Sequence, residues 1–344
     1  MAEKDTNRTI GLIVGLLIII GLAFVTNILS KNVHAALEFP LWAVALGLIM
    51  NGLLSVSKTR DFIMPAVRTE LYLRIGLVLL GSTVKINTIT AVGSRGIVQA
   101  IIMVSSVFMI TWWLGGKFKL KDTLRATMAA AISICGVSAA IAAAGAVLAK
   151  KEEIAYVTAL VIFTALPLMI IMPYLAFALG LSHDVAGAWF GGNVDTTAAV
   201  LAAGSIHSEA AMEVASIVKM AQNALMGVAA FLLALYFTTV VEKGSQRPSV
   251  KVIWDRFPKF VLGFMLVSIL VSTGIFSGPA VAAMSAMRKW AFTLAFICIG
   301  LEMDFSRLKG LGGAPVKVYL TATVFNTVLA LGIAYLIFGG VLGL

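Results

Sequence analysis

"ICGVSAAIAAAGAVLAKKEEIAYVTALVI" runs from Ile134 to Ile162, and roughly sixty residues later "GGNVDTTAAVLAAGSIHSEAAMEVASIVK" runs from Gly191 to Lys219. Each begins at a polar, Gly-containing interruption and continues through an Ala-rich stretch towards a Glu-containing one. With Gly136 set against Gly192, Ser138 faces Val194, and Glu153-Ile154-Ala155 answers Glu213-Val214-Ala215 four positions out of phase. The interruptions sit in the middle of residues 123–149 and 182–205, with about ten residues on either side, some 15 Å of helix or half a bilayer. Each segment therefore reads as a pair of half-helices.

The surrounding chain explains why half a bilayer is the relevant length. Its 344 residues are 60% hydrophobic and 12% charged, with a mean hydropathy of +1.01, well outside the range of soluble domains. Apolar runs able to cross a ~30 Å hydrocarbon layer recur throughout. Spans are expected near 9–29, 36–57, 71–86, 96–116, 153–179, 212–242, 257–277, 288–303 and 315–341. The run Ile10 to Leu29 has no small-residue cleavage site and reads as a retained helix rather than a signal peptide. The expected fold is an all-α polytopic membrane protein, a single transmembrane transporter domain over 1–344, with about nine full spans plus the two discontinuous segments.

A break in the backbone at membrane depth leaves peptide groups unpaired and survives only inside protein or beside a water-filled cavity. The competing reading is two continuous packing helices whose small residues permit close approach. Repetition favours a site. A second echo, "LRIGLVLLGSTVKINTI" from Leu73 and "LAFICIGLEMDFSRL" from Leu294, matches Gly81 to Gly300 and Ile86 to Phe305. Internal repeats are the common architecture of secondary transporters.

The net charge of +10 is carried in short basic clusters between apolar runs, which orient a membrane protein rather than bind nucleic acid. If the N-terminus is cytoplasmic and both broken segments are re-entrant hairpins, 19 Lys and Arg residues face the cytoplasm. Only Lys31, Lys85, Arg95, Arg288 and Lys289 then face outward. Fully crossing segments would move only Lys150 and Lys151. Hairpins place the two copies in opposite orientation, as inverted repeats; crossing helices would leave them parallel.

Asp195 and Lys219 stand out chemically. A charge at the centre of a membrane helix costs roughly 2.5–3.5 kcal/mol on insertion scales and is typically kept for an ion pathway or a partner. With both signs close in sequence, the two can form a pair, either coupling transport or merely fixing the packing, and Lys219 can instead snorkel along its stem. Half-helices starting near mid-membrane direct free N–H groups and a positive dipole end inward, which suits an anion. Gly136, Ser138, Asn193, Thr196 and Thr197 would line that site, although Asn193 and the threonines can equally act as caps. Half-helix carbonyls with Asp195 would suit Na+ or a proton. Gln222 and Asn223 read as ties to the broken segments that also reach substrate.

The other candidates have ordinary roles. Cys135 and Cys298 lie in apolar segments and suggest neither a disulfide framework nor a zinc site. His183 and His207 read as solvated loop residues, Arg74 as a snorkelling side chain, and Glu302 and Asp304 as acids at a span end. No P-loop, cofactor motif, metal-ligand cluster or nucleophile–base pair is present in the sequence, so neither an ATP-driven pump nor an enzyme is expected.

The segments "ICGVSAAIAAAGAV", "KKEEIAYVTALVIF", "LAAGSIHSEAAMEVASIVKMAQNALM" and "LRIGLVLLGSTV" resemble the YeiH-like sulfate-exporter family of bacterial inner-membrane proteins, over about residues 40–340. The resemblance also implies distant kinship with bile-acid transporters and sodium/proton antiporters, in which discontinuous helices cradle the solute. It implies a multi-pass inner-membrane protein, a secondary transporter working by alternating access. The breaks and Asp195 suit a small inorganic or organic anion with H+ or Na+ as coupling ion, and the apolar surfaces between helices fit a monomer or a homodimer. Two departures bear on substrate. Asn193-Val194-Asp195-Thr196 stands where the family carries a Ser-Ile-His-Asp type sequence, and Lys219-Met220-Ala221-Gln222-Asn223 where it carries Lys-Leu-Thr-Arg-Asn. Loss of that arginine weakens bidentate recognition of an oxyanion. The expectation is an anion transporter with Asp195 as coupling residue; a cation antiporter and a membrane scaffold are the rival readings.

Overall fold

A computed structural model describes residues 2–32, 39–84, 86–241, 251, 254, 258–303 and 313–341. Lys85, Asp304 and Phe305 lie outside the described residues. Among the described residues all regular structure is helical, and seven helices are long and apolar enough to cross a membrane. The other two expected spans, 71–86 and 257–277, contain helices of 12 residues, α4 at Thr69–Leu80, and 13 residues, α13 at Phe260–Ser272. At 1.5 Å per residue neither reaches across the hydrocarbon layer by itself. In the first case the turn at Gly81–Thr83 follows the helix within the same apolar run, so hydropathy continues where helical bonding stops.

The chain divides into two compact units. The first comprises Met1–Ile86 with Phe260–Met303. Here α1 (Ala2–Asn32), α2 (Phe39–Val56), the short α3 (Arg60–Ile63) and α4 pack with α13 and α14 (Gly278–Glu302). The echoed glycines mark close approaches. A Cβ on Gly300 would lie 2.5 Å from the Val44 carbonyl oxygen of α2, and one on Gly81 would lie 2.4 Å from that of Phe264 on α13. The end of α14 is capped by side chains. Asn51 donates to the carbonyls of Gly300 and Met303, and Arg60 donates to those of Leu301 and Glu302 while bonding the Asn51 amide oxygen at 2.9 Å. A guanidinium suits the negative end of a helix.

The second unit comprises Asn87–Lys259 with Asp304–Leu344. It contains α5 (Ile86–Lys117), α6 (Asp122–Ala130), α7 (Val137–Ala146), α8 (Lys151–Ala178), α9 (His183–Asn193), α10 (Thr197–His207), α11 (Glu209–Ala224), α12 (Met226–Tyr236) and α15 (Gly313–Phe338). Helices α9 and α11 pack closely. Gly187 and Gly191 are one turn apart, and Cβ atoms there would fall 2.5 and 2.8 Å from the carbonyl oxygens of Ala211 and Ala215. Small residues four apart allow backbones to meet in a membrane, where hydrophobic burial does not drive helices together. Large apolar side chains of the long spans point outward instead; Met109 is 70% exposed and Val328 68%, as lipid-facing positions should be.

Candidate functional site

Both Ala-rich segments are broken, for different local reasons. Helix α6 runs into a π-helical turn over Ala131–Cys135, and the chain then turns at Gly136, whose φ of 64° and ψ of −119° favour glycine. The amide of Gly136 closes the turn on the Ala131 carbonyl at 2.9 Å. In the second segment α9 ends at Asn193, Val194 to Thr196 are irregular or extended, and Thr196 caps α10, its hydroxyl accepting from the Ala199 amide at 3.2 Å. The caps set a register different from the alignment of glycines. Gly136 precedes α7 as Thr196 precedes α10, so these two correspond, and they are 60 positions apart, as are Glu153 and Glu213.

The two breaks meet. A Cβ on Gly136 would lie 3.2 Å from Thr196 Cγ2 and 3.4 Å from the Asp195 carbonyl oxygen. Helix α11 ties them together twice. Lys219 Nζ donates to Ile134 O at 2.7 Å and to Val194 O at 2.9 Å, one carbonyl from each break, and to Gln222 Oε1 at 2.8 Å. One turn on, Gln222 Nε2 donates to Ser133 O at 2.8 Å and Gly192 O at 3.4 Å. Asn223 Nδ2 reaches the Thr197 hydroxyl at 3.2 Å.

Asp195 and Lys219 are both buried, yet no ion pair joins them directly. The carboxylate takes hydroxyl donors instead: Tyr319 Oη from α15 at 2.8 Å and Thr164 Oγ1 from α8 at 3.3 Å, both on Oδ2. Oδ1 is buried with no hydrogen-bond partner. The first turns of α7 and α10 differ from this interior, because Val137, Ser138, Thr196 and Thr197 are partly exposed. Of the nine residues singled out from sequence, Ser138, Thr196 and Thr197 lie at this accessible edge, whereas Gly136, Asn193, Asp195, Lys219, Gln222 and Asn223 are buried behind it. Asn193 turns towards α15 and α8, with Thr327 Oγ1 on its Oδ1 at 3.1 Å and its own amide on Met172 Sδ at 2.9 Å. His207 is not a solvated loop residue: it ends α10, stacked on Phe177 with ring centroids 4.5 Å apart, and shares Ser208 with His183. Glu302, in the first unit, accepts from the Thr69 hydroxyl at 2.7 Å. Among the described residues no group of three or more His, Cys, Asp and Glu could hold a metal ion.

The family described as conserved hypothetical protein 698 matches residues 14–319, and the relatives recovered with it are named UPF0324 membrane proteins. The chain belongs to this family. A UPF0324 membrane protein of Rhodopirellula baltica is 41% identical over 317 residues, 88% of this chain and 58% of the relative. One of Nitratidesulfovibrio vulgaris is 40% identical over 317 residues, 86% of this chain and 54% of the relative. One of Chlorobaculum tepidum is 27% identical over 325 residues, 92% of this chain and 88% of the relative. The chain thus spans little more than half the length of the first two of these relatives. No solved structure matches it.

Several polar residues of this UPF0324 site were not singled out from sequence. On α15 they are Tyr319, Asn326, whose amide donates to Asn193 O at 3.0 Å, and Thr327; on α8, Thr164; on α5, Gln99, whose amide donates to Ala188 O at 2.8 Å. The α15 residues carry a readable signal. With Thr323 they form a polar stripe at spacings of four, seven and eight along an apolar span, one face of a helix.

Proposed function

We propose that this UPF0324 protein is a secondary transporter of a small anion, such as sulfate, a short sulfonate or a carboxylate, working by alternating access with H+ or Na+ coupled at Asp195. The observation that carries the reading is an asymmetry among the half-helix ends. The carbonyl ends before each break are occupied by Lys219 and Gln222, whereas the amino ends of α7 and α10 begin at partly exposed residues flanked by Ser138, Thr196 and Thr197. Neutralising the negative ends leaves a positive local potential at the accessible edge, the condition for holding an anion. Asp195 immediately precedes the cap of α10, so its charge competes with an anion for that potential. Protonation or cation binding at Asp195 favours anion occupancy, and its reversal favours release.

The 60-residue register of the caps supports a pair of repeats, which re-entrant hairpins would invert, and the basic residues support a cytoplasmic N-terminus in a bacterial inner membrane. A second reading, a sodium/proton-type cation antiporter, draws on the buried acceptors Asp195 Oδ1, Asn223 Oδ1, Gln99 Oε1 and Asn326 Oδ1, none of which has a hydrogen-bond partner. Oxygen acceptors suit a hard cation.

The discriminating experiment is binding of sulfate, sulfite, short sulfonates and carboxylates to purified protein between about pH 5 and pH 8, with Asp195→Asn in parallel. Anion transport predicts saturable binding whose pH dependence disappears in Asp195→Asn. Absence of anion binding, with Na+ stabilising the wild type and not the variant, selects the antiporter.

A further inference from the structure

We infer that the Lys219 ammonium is a built-in monovalent cation, occupying a place between the two broken helices that an alkali-metal ion would otherwise fill. Its three N–H bonds meet three neutral oxygens at 2.7, 2.8 and 2.9 Å, Ile134 O, Gln222 Oε1 and Val194 O. Two are backbone carbonyls from the ends of the half-helices that precede the breaks, where partial negative charge accumulates and carbonyls lack intrahelical partners. Such carbonyls replace the hydration shell of monovalent cations in membrane proteins.

The third oxygen is held in place by the rest of its own side chain. Gln222 Nε2 is engaged with Ser133 O and Gly192 O, so the amide cannot rotate without setting its NH2 against Lys219, and Oε1 is fixed towards the cation. The cage does not depend on Asp195, which is bound to Tyr319 and Thr164 instead. An ammonium with all three donors engaged is also not a free ligand for an anion, so the position of Lys219 is explained by the carbonyls it joins.

This inference refines the coupling step and rests on the transporter reading only for that consequence: at this position the protein needs no sodium. Removing the ammonium leaves two helix-end carbonyls and an amide oxygen converging on one point in a buried, net-negative environment that includes Asp195. That is a site for K+, which is close to ammonium in size, or for Na+ after contraction.

The test uses the purified full chain in detergent and requires no transport, so it is scored even if no anion is ever moved. Thermal unfolding is followed in NaCl, KCl and N-methylglucamine chloride at constant ionic strength, for wild type and Lys219→Met. The readout is the response to Na+ or K+ that Lys219→Met gains over the wild type, because a cation held at Asp195 would stabilise both. Lys219→Met is expected to unfold earlier than the wild type in N-methylglucamine and to recover several degrees, saturably, with Na+ or K+. A folded Lys219→Met that gains no response to either metal ion beyond that of the wild type overturns the inference. So does a Lys219→Met that is unfolded in N-methylglucamine and that neither NaCl nor KCl restores to the fold.

Discussion

The hydroxyl of Tyr319 donates to Asp195 Oδ2 at 2.8 Å across 124 positions of sequence, and both residues are fully buried. It is the direct contact between α15 and the carboxylate, while Asn326 and Thr327, further along the α15 stripe, hold Asn193 two residues earlier. The irregular strand between α9 and α10 is therefore suspended from α15 by side-chain bonds where helical bonds are missing. A buried carboxylate without an adjacent cation needs such donors.

Tyr319→Phe removes that bond with little change of shape. A hydrogen bond to a charged group contributes about 1.5–3 kcal/mol, so the variant should unfold at correspondingly lower denaturant concentration. Thr164→Val should cost less, because the single Thr164 hydroxyl proton is shared between the carboxylate at 3.3 Å and the nearer carbonyls of Leu160 at 2.9 Å and Val161 at 3.1 Å in its own helix. Repeating Tyr319→Phe in an Asp195→Asn background closes a double-mutant cycle. The loss should shrink there, since an amide oxygen is a weaker acceptor than a carboxylate, and equal losses in the two backgrounds would show that the charge of Asp195 adds nothing to the bond.

Gly136 is required twice over, for its conformation and for the room it leaves. A Cβ would sit 2.7 Å from Val161 Cγ1 at a backbone φ of 64°. Gly180, at the end of α8, has a φ of 63° with nothing within 4 Å of the same added atom. Both Gly→Ala changes carry a backbone cost of about 1–3 kcal/mol, but Gly136→Ala adds the clash. It should destabilise the protein more than Gly180→Ala, and Val161→Ala should recover part of the difference. Equal effects of the two alanine variants would show that Gly136 is not packed tightly against Val161 of α8.

The breaks were legible because a bilayer penalises them, so polar residues and glycine in an Ala-rich segment carry information there that they would not carry in a soluble loop. Their register was not. Gly136 and Gly192 align as letters but act differently: one supplies a positive φ, and the other makes room for Gln99. Charge likewise marked Asp195 and Lys219 for attention but gave no indication that each would bind other partners. Backbone carbonyls at a helix end have no side-chain signature, and the Tyr319 stripe emerges only when its residues are taken at helical spacing along an otherwise apolar span.

The second role of glycine leads to its own test. A Cβ on Gly192 would fall 2.3 Å from Gln99 Nε2, the atom that bonds Ala188 O one turn earlier on α9. Gly192→Ala should displace Gln99 and cost about 1–3 kcal/mol as an overpacked core change. Gln99→Ala loses the bond but leaves space. The double variant should therefore be more stable than the sum of the two losses predicts, measured by denaturant unfolding. Strict additivity would place Gln99 away from Gly192.

Asn51 separates stability from recognition. In the first unit its amide supplies donors to the carbonyls of Gly300 and Met303 and its oxygen receives Arg60 Nε. Asn51→Ala leaves these groups at the end of α14 to find other partners, at a cost of about 1–3 kcal/mol. None of the nine residues singled out from sequence for the site lies in that unit. The variant should thus unfold at lower denaturant concentration while the dissociation constant of any bound anion, measured on the folded fraction, stays within about twofold of wild type. If affinity instead fell tenfold, equivalent to about 1.4 kcal/mol of binding free energy, the end of α14 would have to be counted as part of the anion site.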